Sequence, residues 1–180
     1  MEQEKLKKIQ RETGSLLYKY GLNFLKGSFN PDYKVVTSGE FYDIIKNKTG
    51  IGGISLTDFP YRLTDLETIK KFLDINLQSK TDYIENYNDC DNYAFDRTLN
   101  AGKILGINSF GSAWCIKVKR ITDGKEYPPH WTSVFATKDG KVYAYDNLFD
   151  EGIVELNGNE FVIGRYKFTL YNTAKSIRFI

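Results

Sequence analysis

The 180-residue chain is short of several residue types that each signal a chemistry. It has one histidine, His130, and two cysteines, Cys90 and Cys115. Two cysteines cannot build a disulfide framework, and positions 90, 115 and 130 contain neither a C-x-x-C nor an H-x-x-x-H pair, so neither zinc nor any other cofactor is expected. No run of about 18 apolar residues is present to span a bilayer. The opening Met1-Glu2-Gln3-Glu4-Lys5 is charged where a secretory leader would need an apolar stretch. The expectation is a soluble, cytoplasmic chain with no transmembrane segment. Neither sign of charge dominates: 25 Lys plus Arg against 23 Asp plus Glu leave +2, which argues against nucleic acid as a partner.

Aromatic residues, by contrast, are abundant: 13 Tyr, 12 Phe and 2 Trp, in a chain that is 41% apolar, exclude disorder and are enough for a sizeable core. One domain over residues 1–180 is expected, with a helical N-terminal part (1–82) and a core of one helix and an antiparallel sheet (83–180). From Glu2 to Leu25, Leu6, Ile9, Leu16, Leu17, Tyr20 and Phe24 recur at helical spacing. This helix is expected to pack on the core, and its lysines give the alternative of a partner or membrane-surface contact. A second helix is expected between Ser38 and Gly50, with Phe41, Ile44 and Ile45 inward. A third starts at a Thr64–Glu67 capping box and carries Leu66, Ile69, Phe72, Leu73 and Leu77. A fourth runs from about Cys90 to Leu105, with Ala94, Phe95, Leu99, Ala101 and Leu105 inward and Gly106 as its stop.

From Ala113 the pattern changes to alternation, with Trp114, Ile116 and Val118 on one face and Cys115, Lys117 and Lys119 on the other. Further strands are expected at about His130–Thr137, Lys141–Tyr145, Ile153–Leu156, Glu160–Leu170 and Ser176–Ile180. Turns fall at Lys138-Asp139-Gly140 and Asn157-Gly158-Asn159. Helices first and antiparallel strands afterward make an α+β fold with no βαβ alternation.

The candidate chemistry gathers around the only histidine. His130 opens a strand after Pro128-Pro129, and Asp146 ends its hairpin partner sixteen residues later. Folding at Asp139-Gly140 brings the far ends together, so the carboxylate can fix the imidazole tautomer. Cys90 begins a helix, where unpaired N–H groups and positive partial charge favour a thiolate and offer oxyanion donors. Asp89 and Asp91 oppose that charge, and a buried structural cysteine beside an Asp89 cap is the competing reading. Trp114 and Trp131 are either core or the lining of a substrate groove. Asp89, Asp91, Asp96, Asp146 and Asp150 leave calcium open, although no calcium loop is recognisable.

The order Cys90, a helix ending in Leu105-Gly106-Ile107, a strand over Ala113–Arg120, His130 and then Asp146 resembles the transglutaminase-like branch of the papain-like cysteine enzymes. The resemblance spans about Asn88 to Leu148. Asp89-Cys90-Asp91-Asn92-Tyr93-Ala94 and Tyr145-Asp146-Asn147-Leu148 are similar to segments of the bacterial transglutaminase-like cysteine proteinases. It implies a papain-like domain acting on a peptide or protein as a peptidase or amidase. Cys90 would be nucleophile, His130 base and then acid, and Asp146 or Asn147 the orienter. The family's oxyanion donor has no close counterpart, and Tyr83, Tyr87 and Asn88 are the nearest polar candidates. An inactive domain of the same fold, used for binding or as a structural module of a larger assembly, is the alternative.

Overall fold

The structure is a computed structural model that describes residues 21, 24–75, 90–173 and 176–179. The expected first helix falls almost wholly outside these. Of its apolar face only Phe24 is described, and at 77% exposed it does not reach the core.

Strand β1 (Lys34–Val36) leads into helix α1 (Ser38–Thr49), whose ends are chemically defined. Thr37 and Glu40 form a reciprocal capping box: the Thr37 backbone N–H donates to Glu40 Oε2 at 2.7 Å, and the Glu40 N–H donates to Thr37 Oγ1 at 3.2 Å. Gly50, left-handed at φ 71°, closes the helix. Phe41 and Ile45 point inward.

Strands β2 (Ile54–Leu56) and β3 (Tyr61–Leu63) precede helix α2 (Leu66–Ile75), which buries Ile69, Phe72 and Leu73. Its cap is Asp65 and not the expected Thr64: Asp65 Oδ1 accepts the Thr68 N–H at 2.8 Å, while the Thr64 hydroxyl donates to the Asp32 carbonyl. A carboxylate at a helix start accepts more strongly than a hydroxyl, and Thr64 is held by a bridge to Thr137. Leu77 lies outside the described residues. Three short strands, β1 to β3, accompany the helices of the N-terminal part.

Helix α3 (Cys90–Leu105) buries Tyr93, Ala94, Arg97, Thr98, Ala101 and Leu105. The inward stripe therefore runs through 94, 97, 101 and 105, at spacings of three, four and four. Leu99, expected inside, is 45% exposed because it falls off that stripe.

The sheet that follows is built on the long strand β4 (Phe110–Arg120), with β5 (Glu126–Tyr127), β6 (His130–Ala136), β7 (Val142–Asp146), β8 (Gly152–Glu155), β9 (Glu160–Ile163), β10 (Tyr166–Leu170) and β11 (Ile177–Phe179). Its main order is β2-β11-β4-β6-β7-β8, with β5 and β10 on β4 and β9 on β10. All these pairings are antiparallel except β2 with β11, which run parallel. The expected strand over Glu160–Leu170 is instead the hairpin β9–β10. It breaks at Gly164 (φ 54°), where an added Cβ would lie 2.4 Å from Asp150 Oδ2, so a side chain is excluded both by backbone and by space.

Register places a separate core on each side of the sheet. Phe110, Phe135, Tyr143 and Tyr145 pack with Ile69, Phe72, Ala101 and Leu105 under α2 and α3. Ala113, Cys115, Val134, Val142 and Ala144 face the opposite core with Phe41, Ile45, Phe161 and Phe168. One expectation about β4 fails for a clear reason. Opposite β10, Thr169 pairs with Lys117 and Leu170 with Cys115, so Ile116 is an extra residue, a β-bulge that shifts the alternation. Val118 therefore shares the core of Cys115 and not the face of Trp114, and Ile116 is left 45% exposed. Among the described residues no helix is long and apolar enough to cross a membrane.

Candidate active site

Strand β6 starts at His130 immediately after two prolines, and β7 ends at Asp146. In the β6–β7 register Ser133 faces Tyr145, which sets Thr132 beside Asp146 and His130 one side-chain repeat farther along the same face. Diagonal neighbours of this kind are within reach of long side chains. The His130 Nε2–H donates to Asp146 Oδ2 at 2.5 Å, with His130 4% and Asp146 0% exposed. The other carboxylate oxygen is also engaged: Asp146 Oδ1 accepts the backbone N–H groups of Leu148 at 2.9 Å and Phe149 at 3.1 Å.

Cys90, the first residue of α3, borders the same cavity as His130, and its sulfur favours the charged form of the imidazole. Because Asp146 occupies Nε2, Nδ1 is the ring nitrogen left for sulfur. Cys90 is partly exposed where His130 and Asp146 are buried. The Phe149 ring meets the imidazole edge-on, 5.0 Å between centroids at 86°, and fixes its plane.

Burial pulls the imidazole toward its neutral form, but the Asp146 hydrogen bond and charge, reinforced by the Cys90 sulfur, outweigh it and push His130 up to about 9. Burial likewise raises Asp146, yet His130 and the two turn N–H groups hold its carboxyl below the usual carboxylate range. Both directions describe one buried imidazolium–carboxylate pair.

Asn147, the alternative orienter, is turned away from His130. Its Oδ1 accepts Arg97 Nη1–H at 2.7 Å, while Arg97 Nε–H donates to Ser133 Oγ at 2.8 Å. Arg97 is fully buried, with its guanidinium 5.2 Å from the Tyr145 ring centroid. Burial lowers its pKa, with the Asp146 and Tyr145 charges acting the other way. Sequence reasoning missed this arginine, although a signal was there: Arg97 lies seven residues after Cys90, two helical turns along the same face.

Trp114 and Trp131 face each other across β4 and β6, ring centroids 5.0 Å apart, on the sheet face opposite His130. Phe95 and Arg178 pack against Trp131. Neither Trp lines the cavity at the thiol. That cavity, about 280 Å³, is bounded by Cys90, Pro128, Pro129, His130, Leu148 and Phe149, of which the last two were not anticipated. Cys115 lies directly across from His130 in the β4–β6 register, fully buried, and burial pushes its thiol well up. Both cysteines are free.

Tyr83, Tyr87, Asn88 and Asp89 lie outside the described residues. Of the described acidic residues considered for calcium, Asp146 is on His130 and Asp150 pairs with Arg165, and among the described residues no three His, Cys, Asp or Glu side chains group around one point. No protein-family model matches the chain, and no curated protein matches it significantly.

Proposed function

We propose that this chain is a papain-like, transglutaminase-like cysteine peptidase or amidase. The observation that carries the reading is that Cys90 and His130 border one cavity while His130 is hydrogen-bonded to the buried Asp146, with Cys90 the most exposed of the three. The chain order of helix, strand, His strand and Asp strand in an antiparallel arrangement supports it as well.

In this reading the sulfur attacks the substrate carbonyl carbon as its proton resides on His130 Nδ1, and the carbonyl π electrons move to oxygen. The start of α3 offers backbone N–H groups and positive partial charge near that oxygen. Collapse of the adduct breaks the C–N bond. His130 hands its proton to the departing amine, and a thioester remains on Cys90. Water, or another amine, then attacks the thioester and gives its proton to Nδ1, and the sulfur leaves to regenerate the site. Asp146 stays ionised throughout and holds Nε2–H, which keeps Nδ1 facing the sulfur.

The test is digestion of a mixed peptide library, read by mass spectrometry, with wild type and Cys90→Ala. New termini that depend on Cys90, with an acyl adduct on Cys90 trapped by acid quenching, are the expected result. A library left intact by the wild type, with no adduct, would contradict the proposal and favour a binding or structural module of this fold.

A further inference from the structure

We infer that the cavity beside the thiol selects its substrate by a bulky, uncharged apolar side chain next to the reacting carbonyl, an inference that rests on the hydrolase reading above. The lining divides cleanly. Among the described residues of the lining, Cys90 and His130 are assigned the chemistry, and the other four, Pro128, Pro129, Leu148 and Phe149, have only apolar side chains.

Their backbone offers a polar group no N–H donors either. Pro128 and Pro129 have no N–H to give. The N–H groups of Leu148 and Phe149 are both taken up by Asp146 Oδ1. A charged or amide side chain entering here would leave water without a donor from any of these four residues, a cost that an apolar side chain avoids.

The wall is also rigid, so it is already formed before a substrate arrives. Phe149 packs edge-on against Tyr127 at 5.1 Å, and against Tyr166 at 4.9 Å and Phe168 at 5.9 Å, besides His130. The two proline rings fix the opposite approach. Asp146 links this wall to the chemistry, because the same carboxylate that orients His130 holds the Leu148–Phe149 turn in place. A substrate side chain that fills the cavity is therefore registered against the sulfur by the group that aligns the base.

The test uses matched peptides that differ at one position flanking the cleaved bond, carrying Leu, Phe, Ala, Asp or Lys, each assayed for kcat/KM, with a library digest to identify which flank carries the preference. Leu and Phe are expected to exceed Asp and Lys at least tenfold, and to exceed Ala at least tenfold as well, since a single methylene in a hydrophobic pocket is already worth about tenfold or more. Leu148→Asp places a carboxylate in the wall and is expected to lower the ratio of Leu to Lys peptides at least tenfold. Should that variant not fold, the wild-type series decides alone. Cys90-dependent cleavage with equal rates across the series, or a preference for Asp or Lys, would overturn the inference and leave the hydrolase reading standing. Absence of Cys90-dependent cleavage would overturn that reading and this inference with it.

Discussion

Asp146→Asn is expected to reduce Cys90-dependent activity by about 10²–10⁴-fold, the usual contribution of positioned acid–base catalysis, although the side chain keeps its size. Both carboxylate oxygens accept hydrogen bonds, one from His130 and the other from the turn N–H groups of Leu148 and Phe149. An amide has only one oxygen. If that oxygen faces the turn, the amide N–H₂ meets Nε2 and forces the imidazole proton onto Nδ1 in the neutral ring, the tautomer that cannot accept from sulfur. If it faces His130, the N–H₂ opposes two backbone donors. Asp146→Ala loses both sets and is expected to cost about 3–5 kcal/mol, as for breaking a buried pair from one side. Asn147→Ala, which does not touch His130, is expected to act far less on the thiol. The pH dependence separates the charge from the packing. His130 is raised in the folded protein from 6.5 to about 9, so its contribution is complete below about pH 6.5 and lost as pH rises through about 9. Asp146 is lowered, so its contribution is present above the ordinary carboxylate value of 3.8 and lost as pH falls below it. Urea midpoints at pH 6 and pH 9.5 should therefore show the gap between wild type and Asp146→Asn narrowing at the higher pH. A gap that widens would contradict the pair.

Arg97→Met is the second large effect. It leaves Asn147 Oδ1 and Ser133 Oγ without their buried donor, at roughly 1–3 kcal/mol for each unsatisfied group, and the loss in urea stability should approach their sum. Arg97→Lys should rescue little. Its single ammonium cannot reproduce two bonds that leave a planar guanidinium in fixed directions, one from Nε and one from Nη1. Freed Asn147 would also loosen the start of the Leu148–Phe149 turn, so a several-fold fall in Cys90 reactivity is expected alongside. Full stability in the lysine variant would show that the cation's charge, and not its geometry, is what the site uses.

The parts of the fold that could be read from the sequence are those in which one local pattern dominates. Helix α3 runs from Cys90 to Leu105 as its apolar spacing and Gly106 indicate, and the β6–β7 hairpin follows from alternation and the Asp139-Gly140 turn. What could not be read depends on contacts between distant segments. The bulge at Ile116 exists only against β10, and β2 becomes a strand only by pairing with β11, more than 120 residues later. The same division holds at the site. Position along a hairpin put His130 near Asp146, but alternation alone left Asp146 and Asn147 open as orienters. The β6–β7 register puts Asp146 on the face of His130, and Arg97, a residue on another element, holds Asn147 away from it. The apolar wall was missed because nothing local shows which way Leu148 and Phe149 face; they become a wall when Asp146 accepts their N–H groups.

In the proposed function Cys90, His130 and Asp146 act as one unit, and the rate of Cys90 alkylation reads that coupling. Wild type, His130→Ala and Asp146→Asn would be treated with iodoacetamide at pH 7, and modification of each cysteine followed by peptide mass. Native Cys90 should react and Cys115 should not until the protein is unfolded, since Cys115 is fully buried. His130→Ala should slow Cys90 at least tenfold, with Asp146→Asn between it and wild type. Equal Cys90 rates in all three proteins, each shown to be folded, would contradict the account.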